Sequence, residues 1–234
     1  MPIYVKAEKG SVAEDVIVSG DPERVRQLSS LFEEKKVVSE NAGYLVYTGK
    51  YKGHSISLAS HGIGGPSISI IFEELRQLGA KRIVRFGTTG ALKEEMDIGD
   101  AVVATGASYS PGGALSEVSG GLVFSPAPDL ELTYSLYESL KKNGIKTFVG
   151  QVFSKNAFYT LDDALDVFKK YNIVSLEMEC ATLLALSQIH GIKAACVLMV
   201  SDSVVKKTKM YTADELKDFA LRIGKVIMDV LAGP

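Results

Sequence analysis

Short, almost wholly apolar runs alternate with amphipathic segments of ten or more residues along most of this sequence. The run Val197-Leu198-Met199-Val200 is typical, because four consecutive apolar side chains indicate a strand that is covered on both faces. The segment between Pro66 and Gly79 is typical of the helices, with a proline at its start, a glycine at its end and apolar residues along one side. This alternation predicts an α/β protein with a central sheet, in which ligands bind at the carboxyl ends of the strands.

The predicted elements form one series without a repeat, a linker or a low-complexity segment, so residues 1–234 are expected to form a single domain. The predicted strands are Asp15–Ser19, Tyr44–Thr48, His54–Ser60, Arg82–Phe86, Ala101–Thr105, Thr147–Phe153, Ile173–Leu176 and Ala194–Val200. The predicted helices are Glu23–Phe32, the segment between Pro66 and Gly79, Asp129–Asn143, Leu161–Tyr171, Ala181–His190 and Thr212–Leu231. The Gly- and Ser-rich stretch Tyr109–Gly121 is predicted to be a loop.

Composition argues against several classes of partner. The 234 residues carry a net charge of −2 and have a pI of about 6.0, so there is no basic surplus to neutralise a nucleic-acid backbone. Cys180 and Cys196 lie far apart in apolar surroundings, which favours buried free thiols in a reducing compartment. The sequence has no signal pattern at its start and no apolar run of 18 residues. We therefore expect a cytoplasmic protein that binds neither nucleic acid nor membranes.

Two arginines lie beside glycine-rich backbone at predicted strand ends. Arg24 belongs to Gly20-Asp21-Pro22-Glu23-Arg24, where a strand gives way to a helix whose first N–H groups favour an anion. Arg85 lies inside an apolar strand, where a charge needs a partner or a ligand, and Thr88 adds a hydroxyl among glycines just beyond it. An ordinary turn with a surface arginine and a structural ion pair are the alternatives. Together the two segments favour a site for an oxyanion such as phosphate.

A pair of carboxylates follows a later strand. Glu177 and Glu179 flank Met178, and carboxylate oxygens accept the paired hydrogen bonds that a vicinal diol donates. The alternatives are capping of the following helix and a glycoside-hydrolase pair, which is weakened because side chains two residues apart on an extended backbone diverge. With the oxyanion site, this pair predicts chemistry on a sugar.

Asp202 and the histidines complete the candidate residues. Asp202 follows a buried strand and Ser201, so burial can raise its pKa and suit it to general acid catalysis, with a helix or turn cap as the alternative. His61 opens the loop His61–Ser67, which does not match a dinucleotide-binding fingerprint, and we interpret His61 as a structural hydrogen-bonding residue. The histidines show no metal-ligand spacing, so no metal site is predicted.

Several longer motifs, taken jointly and in order, are specific to one family. They are GDPERV, YTGKYKG, HGIGGPSISI, VRFGTTGAL, VFSKNAFY, LEMECATL and VSD. On these motifs the chain resembles the hexameric nucleoside phosphorylases of the PNP/UDP family, and it is most similar to archaeal-type 5′-methylthioadenosine and purine nucleoside phosphorylases. The resemblance implies a three-layer α/β/α sandwich with a central mixed sheet. It also implies a trimer of dimers and no cofactor, with inorganic phosphate as cosubstrate.

The resemblance also implies roles for individual residues. The expected phosphate-binding residues are Gly20, Arg24, Arg85 and Thr88. The expected ribose-binding residues are Met178, Glu179 and, near the 5′ group, Tyr4. The expected base-binding residues are Phe158, Glu177, Ser201 and Asp202, with Asp202 as the proton donor to the purine N7.

The chain departs from the family pattern at three positions. Relatives usually carry His at the position of Tyr4 and Arg at the position of Ala42, and both normally reach into a neighbouring subunit's site. Bacterial purine enzymes have an arginine at the position of Leu216 that assists the aspartate, although archaeal-type relatives also lack it. The change at Ala42 predicts weaker phosphate binding.

The resulting hypothesis is phosphorolysis of purine nucleosides, with 5′-methylthioadenosine among the candidate substrates, to free base and pentose 1-phosphate. A uridine phosphorylase is one alternative, but its uracil-reading Gln and Arg are expected soon after Tyr159, where Thr160–Asp166 offers neither. A phosphate-independent nucleosidase is a second, although such relatives lack the two phosphate-binding arginines. A non-catalytic nucleoside-binding protein is the third, because Ala42 indicates that the site has changed.

Overall fold

The computed structural model describes residues 2–159 and 165–233. Its strands are β1 (Asp15–Ser19), β2 (Glu34–Asn41), β3 (Tyr44–Tyr51), β4 (His54–Ser60), β5 (Arg82–Ala91), β6 (Ala101–Tyr109), β7 (Thr147–Ser154), β8 (Ser175–Glu177) and β9 (Lys193–Ser203). Its helices are α1 (Pro22–Ser29), α2 (Gly65–Leu78), α3 (Gly113–Val118), α4 (Leu130–Lys142), α5 (Leu165–Lys170), α6 (Cys180–His190) and α7 (Lys217–Ala232). Among the helices of these described ranges, none combines the length and apolarity needed to cross a bilayer.

The nine strands found in the described ranges belong to one mixed sheet. Their order is β2-β3-β4-β1-β5-β8-β7-β6-β9, and β9 also pairs with β5, so the strands from β5 to β9 close into a ring. β1 runs parallel to β4 and β5, and β5 runs parallel to β9. β7 runs parallel to β6 and β8, whereas β2–β3, β3–β4, β5–β8 and β6–β9 are antiparallel. The predicted α/β class with a mixed sheet is confirmed, and the closure into a ring is a feature that the sequence did not predict.

Alternation along β1 shows how the sheet separates two helical layers. Val16 and Val18 join the core beneath α2, α3 and α6, whereas Ile17 joins the core beneath α1, α4 and α7. Successive strand residues point to opposite faces, so a strand covered by helices on both sides must be apolar throughout. This explains the run Val197–Val200 in β9 and confirms the three-layer sandwich.

Two elements escaped the sequence analysis. β2 lies at the edge of the sheet and its side chains are mostly polar and exposed, so it carries no apolar signal for a strand. α3 forms within Tyr109–Gly121, so the prediction of a loop there is wrong for residues 113–118. The glycines and serines of that segment favour a loop, but a short helix forms there and its Leu115 is buried in the core.

Two predicted helices differ from their described bounds. The backbone N–H of Thr212 donates to Oε2 of Glu215 at 2.8 Å, so the predicted capping box forms. It closes a separate turn, however, and α7 begins only at Lys217. The predicted helix Leu161–Tyr171 corresponds to α5, and its residues 161–164 lie outside the described ranges.

β5 changes one of its neighbouring strands halfway along its length. On one side it pairs with β9 from Arg82 to Ala91. On the other side, within the described residues, it pairs with β1 as far as Arg85 and with β8 from Gly90 onward. Because β1 is parallel and β8 is antiparallel to β5, the carboxyl ends of both strands point into the gap beside residues 86–89. We call this gap the fork.

Candidate active site

The carboxyl end of β1 brings Gly20 and Arg24 to the fork. A Cβ atom on Gly20 would lie 3.0 Å from the carbonyl oxygen of Gly62, so glycine is what allows these two loops to approach closely. Arg24 follows in the first turns of α1, where its side chain is buried and its Nη1 donates to Ser19 Oγ at 2.9 Å. The turn therefore directs a buried cation and helical N–H groups toward the same place.

Arg24 and Arg85 lie within each other's electric field. Burial lowers the pKa of Arg24 to about 10, with the charge of Asp21 opposing the shift and the charge of Arg85 adding to it. Two buried guanidinium groups that repel each other are stabilised by an anion between or beside them. The alternative of a surface arginine for Arg24 is wrong, because the side chain is buried.

Arg85 is only 3% exposed and is held by carboxylates. Its Nη2 donates to Glu179 Oε2 and lies 3.4 Å from Glu177 Oε2. Burial lowers the pKa of Arg85, but the charges of Glu179 and Glu177 outweigh this effect and leave the pKa raised. The side chain folds back over Gly87, where a Cβ atom would lie 2.0 Å from Nη1. Any larger residue at Gly87 would displace the guanidinium from the fork.

Unpartnered donors are concentrated at the fork. Seven buried side-chain polar atoms in the described residues have no hydrogen-bond partner, and four of them are Nε and Nη1 of Arg85 and both ring nitrogens of His61. An unpaired buried polar atom costs free energy, so such a concentration indicates a place built for an acceptor-rich ligand. The interpretation of His61 as a structural hydrogen-bonding residue is wrong for its side chain, because the ring has no partner among the described residues.

Glu179 lies at the other side of the fork, after β8. Its Oε1 accepts from the backbone N–H of Gly64 at 2.6 Å, and its Oε2 accepts from Arg85. Burial raises the pKa of Glu179, but the charge of Arg85 and the hydrogen bonds from the Gly64 N–H and Arg85 outweigh it and lower the pKa overall. The group is therefore an ionised acceptor in direct contact with Arg85.

The hydrogen-bond donors to Glu177 are a hydroxyl group and two backbone N–H groups. Its Oε1 accepts from the Ser154 hydroxyl, and its Oε2 accepts from the backbone N–H groups of Glu179 at 2.7 Å and Cys180 at 2.8 Å. The carboxylate thus caps the first turn of α6, which was the alternative interpretation of the pair. This cap fixes the backbone that carries Glu179.

Asp202 reaches the end of β5 from the neighbouring strand β9. The Ser201 hydroxyl donates to its Oδ1 at 2.8 Å, and a Cβ atom on Gly90 would lie 3.0 Å from its Oδ2. Burial raises the pKa of Asp202, and the hydrogen bond from Ser201 opposes that shift only in part. A carboxyl group that retains its proton more readily than usual is suited to donate it.

The remaining predicted residues vary in exposure. Thr88 and Met178 are half-buried beside the fork, and the Thr88 hydroxyl makes no hydrogen bond within the part of the chain that is described. Phe158 is 53% exposed and packs edge-on against Tyr159, with ring centroids 5.0 Å apart. Leu216 is buried in the core beneath α7, so this departure from the family pattern has a packing role.

Tyr4 and Ala42 lie together on one surface. The Asn41 side chain donates to the Tyr4 carbonyl oxygen at 3.1 Å, and the Tyr4 ring packs edge-on against Tyr44. Ala42 occupies the exposed turn between β2 and β3 with φ +52°, a left-handed conformation. The carbonyl oxygen of the next residue, Gly43, accepts a long hydrogen bond of 3.5 Å from the Ser60 hydroxyl. Ser60 directly precedes His61 in the chain. This surface therefore borders the loop that carries His61.

The arrangement resembles known proteins along nearly its whole length. Residues 14–232 match the family described as the phosphorylase superfamily. The uridine phosphorylase of Thermococcus kodakarensis is 35% identical over 214 residues, which cover 86% of this chain and 76% of that protein. The DeoD-type purine nucleoside phosphorylase of Bacillus subtilis is 35% identical over 208 residues, which cover 88% of each chain.

Two further matches extend the range of relatives. The guanosine phosphorylase of Halorubrum lacusprofundi is 34% identical over 203 residues, which cover 86% of this chain and 83% of that protein. A crystal structure of purine nucleoside phosphorylase from Toxoplasma gondii in complex with immucillin-H superposes with a TM-score of 0.89 at 28% identity. That superposition covers 99% of this chain and 95% of the other.

Proposed function

Since the chain belongs to the phosphorylase superfamily, we propose that it catalyses the reversible phosphorolysis of purine nucleosides to free base and pentose 1-phosphate. The observation that carries this proposal is the fork, where two buried arginines, one with unpartnered donors, lie beside the ionised carboxylate of Glu179. Relatives named purine nucleoside phosphorylase and guanosine phosphorylase support the purine specificity.

Phosphate binds among Gly20, Arg24, Arg85 and Thr88. The arginines neutralise its charge, and the backbone beside Gly20 and the Thr88 hydroxyl supply further donors. Bound there, phosphate takes up donors of Arg85 that now have no acceptor. This proposal is supported by the position of all four residues at one end of the sheet.

The ribose lies over the phosphate, with its 2′ and 3′ hydroxyls on Glu179 and with Met178 against the sugar. Glu179 now shares its charge with Arg85. Phosphate replaces that partner, and the carboxylate is then available to accept from the diol. Glu177 holds this geometry through its cap of α6, so we assign it a positioning role and propose no contact between Glu177 and the base.

The reaction breaks the C1′–N9 bond and forms a bond between C1′ and a phosphate oxygen. The electron pair of the broken bond moves to the base, and Asp202 donates a proton to N7 so that the base leaves neutral. Phosphate stabilises the cationic sugar before it attacks, so positioning and electrostatics supply most of the acceleration. Ser201 orients Asp202, and Phe158 stacks on the base.

Uridine phosphorolysis is the second candidate function, because one relative at 35% identity is named uridine phosphorylase. The raised pKa of Asp202 favours a purine, since a carboxyl group that holds a proton more readily than usual suits the N7 acceptor that uracil lacks. A nucleosidase and a non-catalytic binding protein fit less well, because neither needs two buried arginines at the sugar site.

The proposal also covers the oligomeric state, the location, the cofactor and the substrate range. We propose a hexamer built as a trimer of dimers, with the Tyr4 and Ala42 surface at the dimer interface. We also propose a cytoplasmic location, which the two buried free thiols favour. No cofactor is needed for this chemistry, and 5′-methylthioadenosine belongs to the proposed substrate range.

A substrate panel tests these proposals. Inosine, adenosine, guanosine, 5′-methylthioadenosine and uridine are each incubated with and without phosphate, and base release is measured. We expect release from purine nucleosides only when phosphate is present. Release without phosphate would indicate a nucleosidase, and release from uridine alone would replace the purine assignment.

A further inference from the structure

His61 is a buried polar residue at the fork to which neither the sequence nor the proposed reaction gives a role. Its side chain is 0% exposed, and neither ring nitrogen has a hydrogen-bond partner in the described residues. The Gly62 carbonyl lies near the ring, but not in the geometry of a hydrogen bond. An imidazole in this state has lost its water without gaining a partner, which is unfavourable unless a ligand supplies one.

The surroundings of His61 indicate the kind of ligand. The ring Cε1 lies 3.6 Å from the Cβ position of Gly20, on the loop proposed to bind phosphate. The charged groups that act on the ring are Arg85, Arg24 and Glu179. Burial, and then the charge of Arg85, lower the pKa of His61 to about 3, so the ring is neutral and keeps one N–H to donate.

We propose that His61 is a further ligand of the bound phosphate, donating a ring N–H to one of its oxygens. This inference rests on the proposed function, because it assumes that phosphate occupies the fork. A neutral donor suits a site that already holds two guanidinium groups, since it adds a hydrogen bond without adding repulsion. It also supplies a contact from within the same chain, at a site where Ala42 offers no cation.

The test compares His61→Leu with a matched histidine variant at the opposite end of β4, the strand that His61 directly follows. Leucine removes both unpartnered nitrogens, so the free energy of unfolding without phosphate should stay the same or increase. Phosphate affinity, measured by calorimetry with inorganic phosphate alone, should fall about 10–100-fold, the usual effect of losing a hydrogen bond to a charged group. His54→Leu is the control, because His54 lies at the other end of β4 and is paired with Asp15 at 2.7 Å. It should lower stability and leave phosphate affinity unchanged.

Arg85→Ala separates failure of this inference from failure of the proposed function. If Arg85→Ala weakens phosphate binding and His61→Leu does not, His61 is no phosphate ligand, and the proposed function stands. If the wild type binds phosphate but cleaves no nucleoside, the proposed function is wrong and the calorimetry still decides the role of His61. If the wild type binds no phosphate, both proposals are overturned.

Partial rescue gives a second readout that a packing role would not produce. The amides of Asn and Gln place an N–H near the Nδ1 and Nε2 positions respectively. One of His61→Asn and His61→Gln should therefore recover part of the phosphate affinity that His61→Leu loses. Equal loss in all three variants, together with lower stability in each, would contradict the proposal. These variants also decide the question if His61→Leu does not fold.

Discussion

At the amino ends of β1, β4 and β5, Asp15, His54 and Arg82 satisfy one another, whereas at the fork, beside the carboxyl ends of β1 and β4, Arg85 and His61 have side-chain nitrogens without a partner among the described residues. Arg82 donates through Nε and Nη2 to the two oxygens of Asp15, at 2.5 and 2.8 Å, and through Nη2 to the Leu231 carbonyl oxygen at 2.7 Å. His54 completes the set through Asp15. Such a cluster stabilises the fold and offers nothing to a ligand.

The carboxyl end of the sheet has the same residue types in a different state. Among the described residues, Arg85 donates to Glu179 through one nitrogen and has no partner for its other two, and the ring of His61 has none. The contrast shows that burial of a charged residue does not by itself identify a site. What identifies it is buried hydrogen-bonding capacity that the protein leaves unused. Substitutions should therefore change stability at one end and activity at the other.

The largest effect is expected for Asp202→Asn, at the carboxyl end of β9. Loss of the proton donor should reduce kcat for natural purine nucleosides by roughly 10²–10⁴. Nucleosides of 7-methylated purines, whose base leaves without protonation, should be affected much less. Lys193→Met at the amino end of the same strand, where Lys193 pairs with Glu131 at 3.3 Å, should leave both rates unchanged. Equal losses of Asp202→Asn on the two substrate types would exclude Asp202 as the acid.

Arg85→Ala and Arg82→Ala test the comparison most directly, because the two arginines are three residues apart on β5. Arg85→Ala should raise the phosphate KM about 10–100-fold, since a charged hydrogen bond contributes about 1.5–3 kcal/mol. Arg82→Ala should lower the free energy of unfolding by a similar amount and leave the phosphate KM unchanged. Steady-state kinetics and chemical denaturation measure the two effects. The comparison breaks if both variants change only stability.

Ala42→Arg asks whether the carboxyl end can accept another cation. Ala42 lies on the exposed turn beside Tyr4, and its φ of +52° is no worse for Arg than for Ala. Across the proposed dimer interface the new guanidinium should reach the phosphate and lower its KM about tenfold. The oligomeric state is checked by light scattering. An intact oligomer with an unchanged phosphate KM would show that this turn does not border a neighbouring site.

The smallest effect is a pH dependence of stability at the amino end. Burial raises the pKa of Asp15, but hydrogen bonds and charges from Arg82 and His54 outweigh it and lower the pKa overall. The stabilising contribution is therefore present above the ordinary pKa of an aspartate and is lost as pH falls through the lowered value. Thermal unfolding at a series of acidic pH values should show a steeper decline for the wild type than for Asp15→Asn. Parallel curves would show that this ion pair adds no stability.

Regular apolar patterns made most of the fold predictable. Strands such as β9 and helices such as α2 have side-chain periods that only one structure satisfies. β2 was missed because an exposed edge strand is held by pairing with β3 rather than by its own apolar side chains. The closure of β5 to β9 into a ring depends on contacts between distant segments, and no local pattern reports it.

The residues of the candidate site were likewise predictable only in part. Arg85 was recognisable because a charge in an apolar strand is conspicuous, and the role of Glu177 as a cap was already one of the three interpretations of the glutamate pair. The state of His61 was not recognisable, since it depends on which donors and acceptors the neighbouring strand ends leave unused. The glycines that flank it, in His61–Ser67, were the only local sign of close approach. The roles assigned to the site residues and the single-domain boundary stay predictions.

Beside residues 86–89, the strands that the structure describes pair with β5 on one side only. Backbone N–H groups that face the fork must therefore bond to solvent or to a bound ligand, whereas those that face β9 belong to a continuous ladder. Hydrogen–deuterium exchange should be fast at the first set of amides in the empty protein and slow once the fork is filled. Exchange at the second set should stay slow throughout. Occupancy of the fork can thus be followed from the backbone of one strand, under conditions in which no substrate turns over.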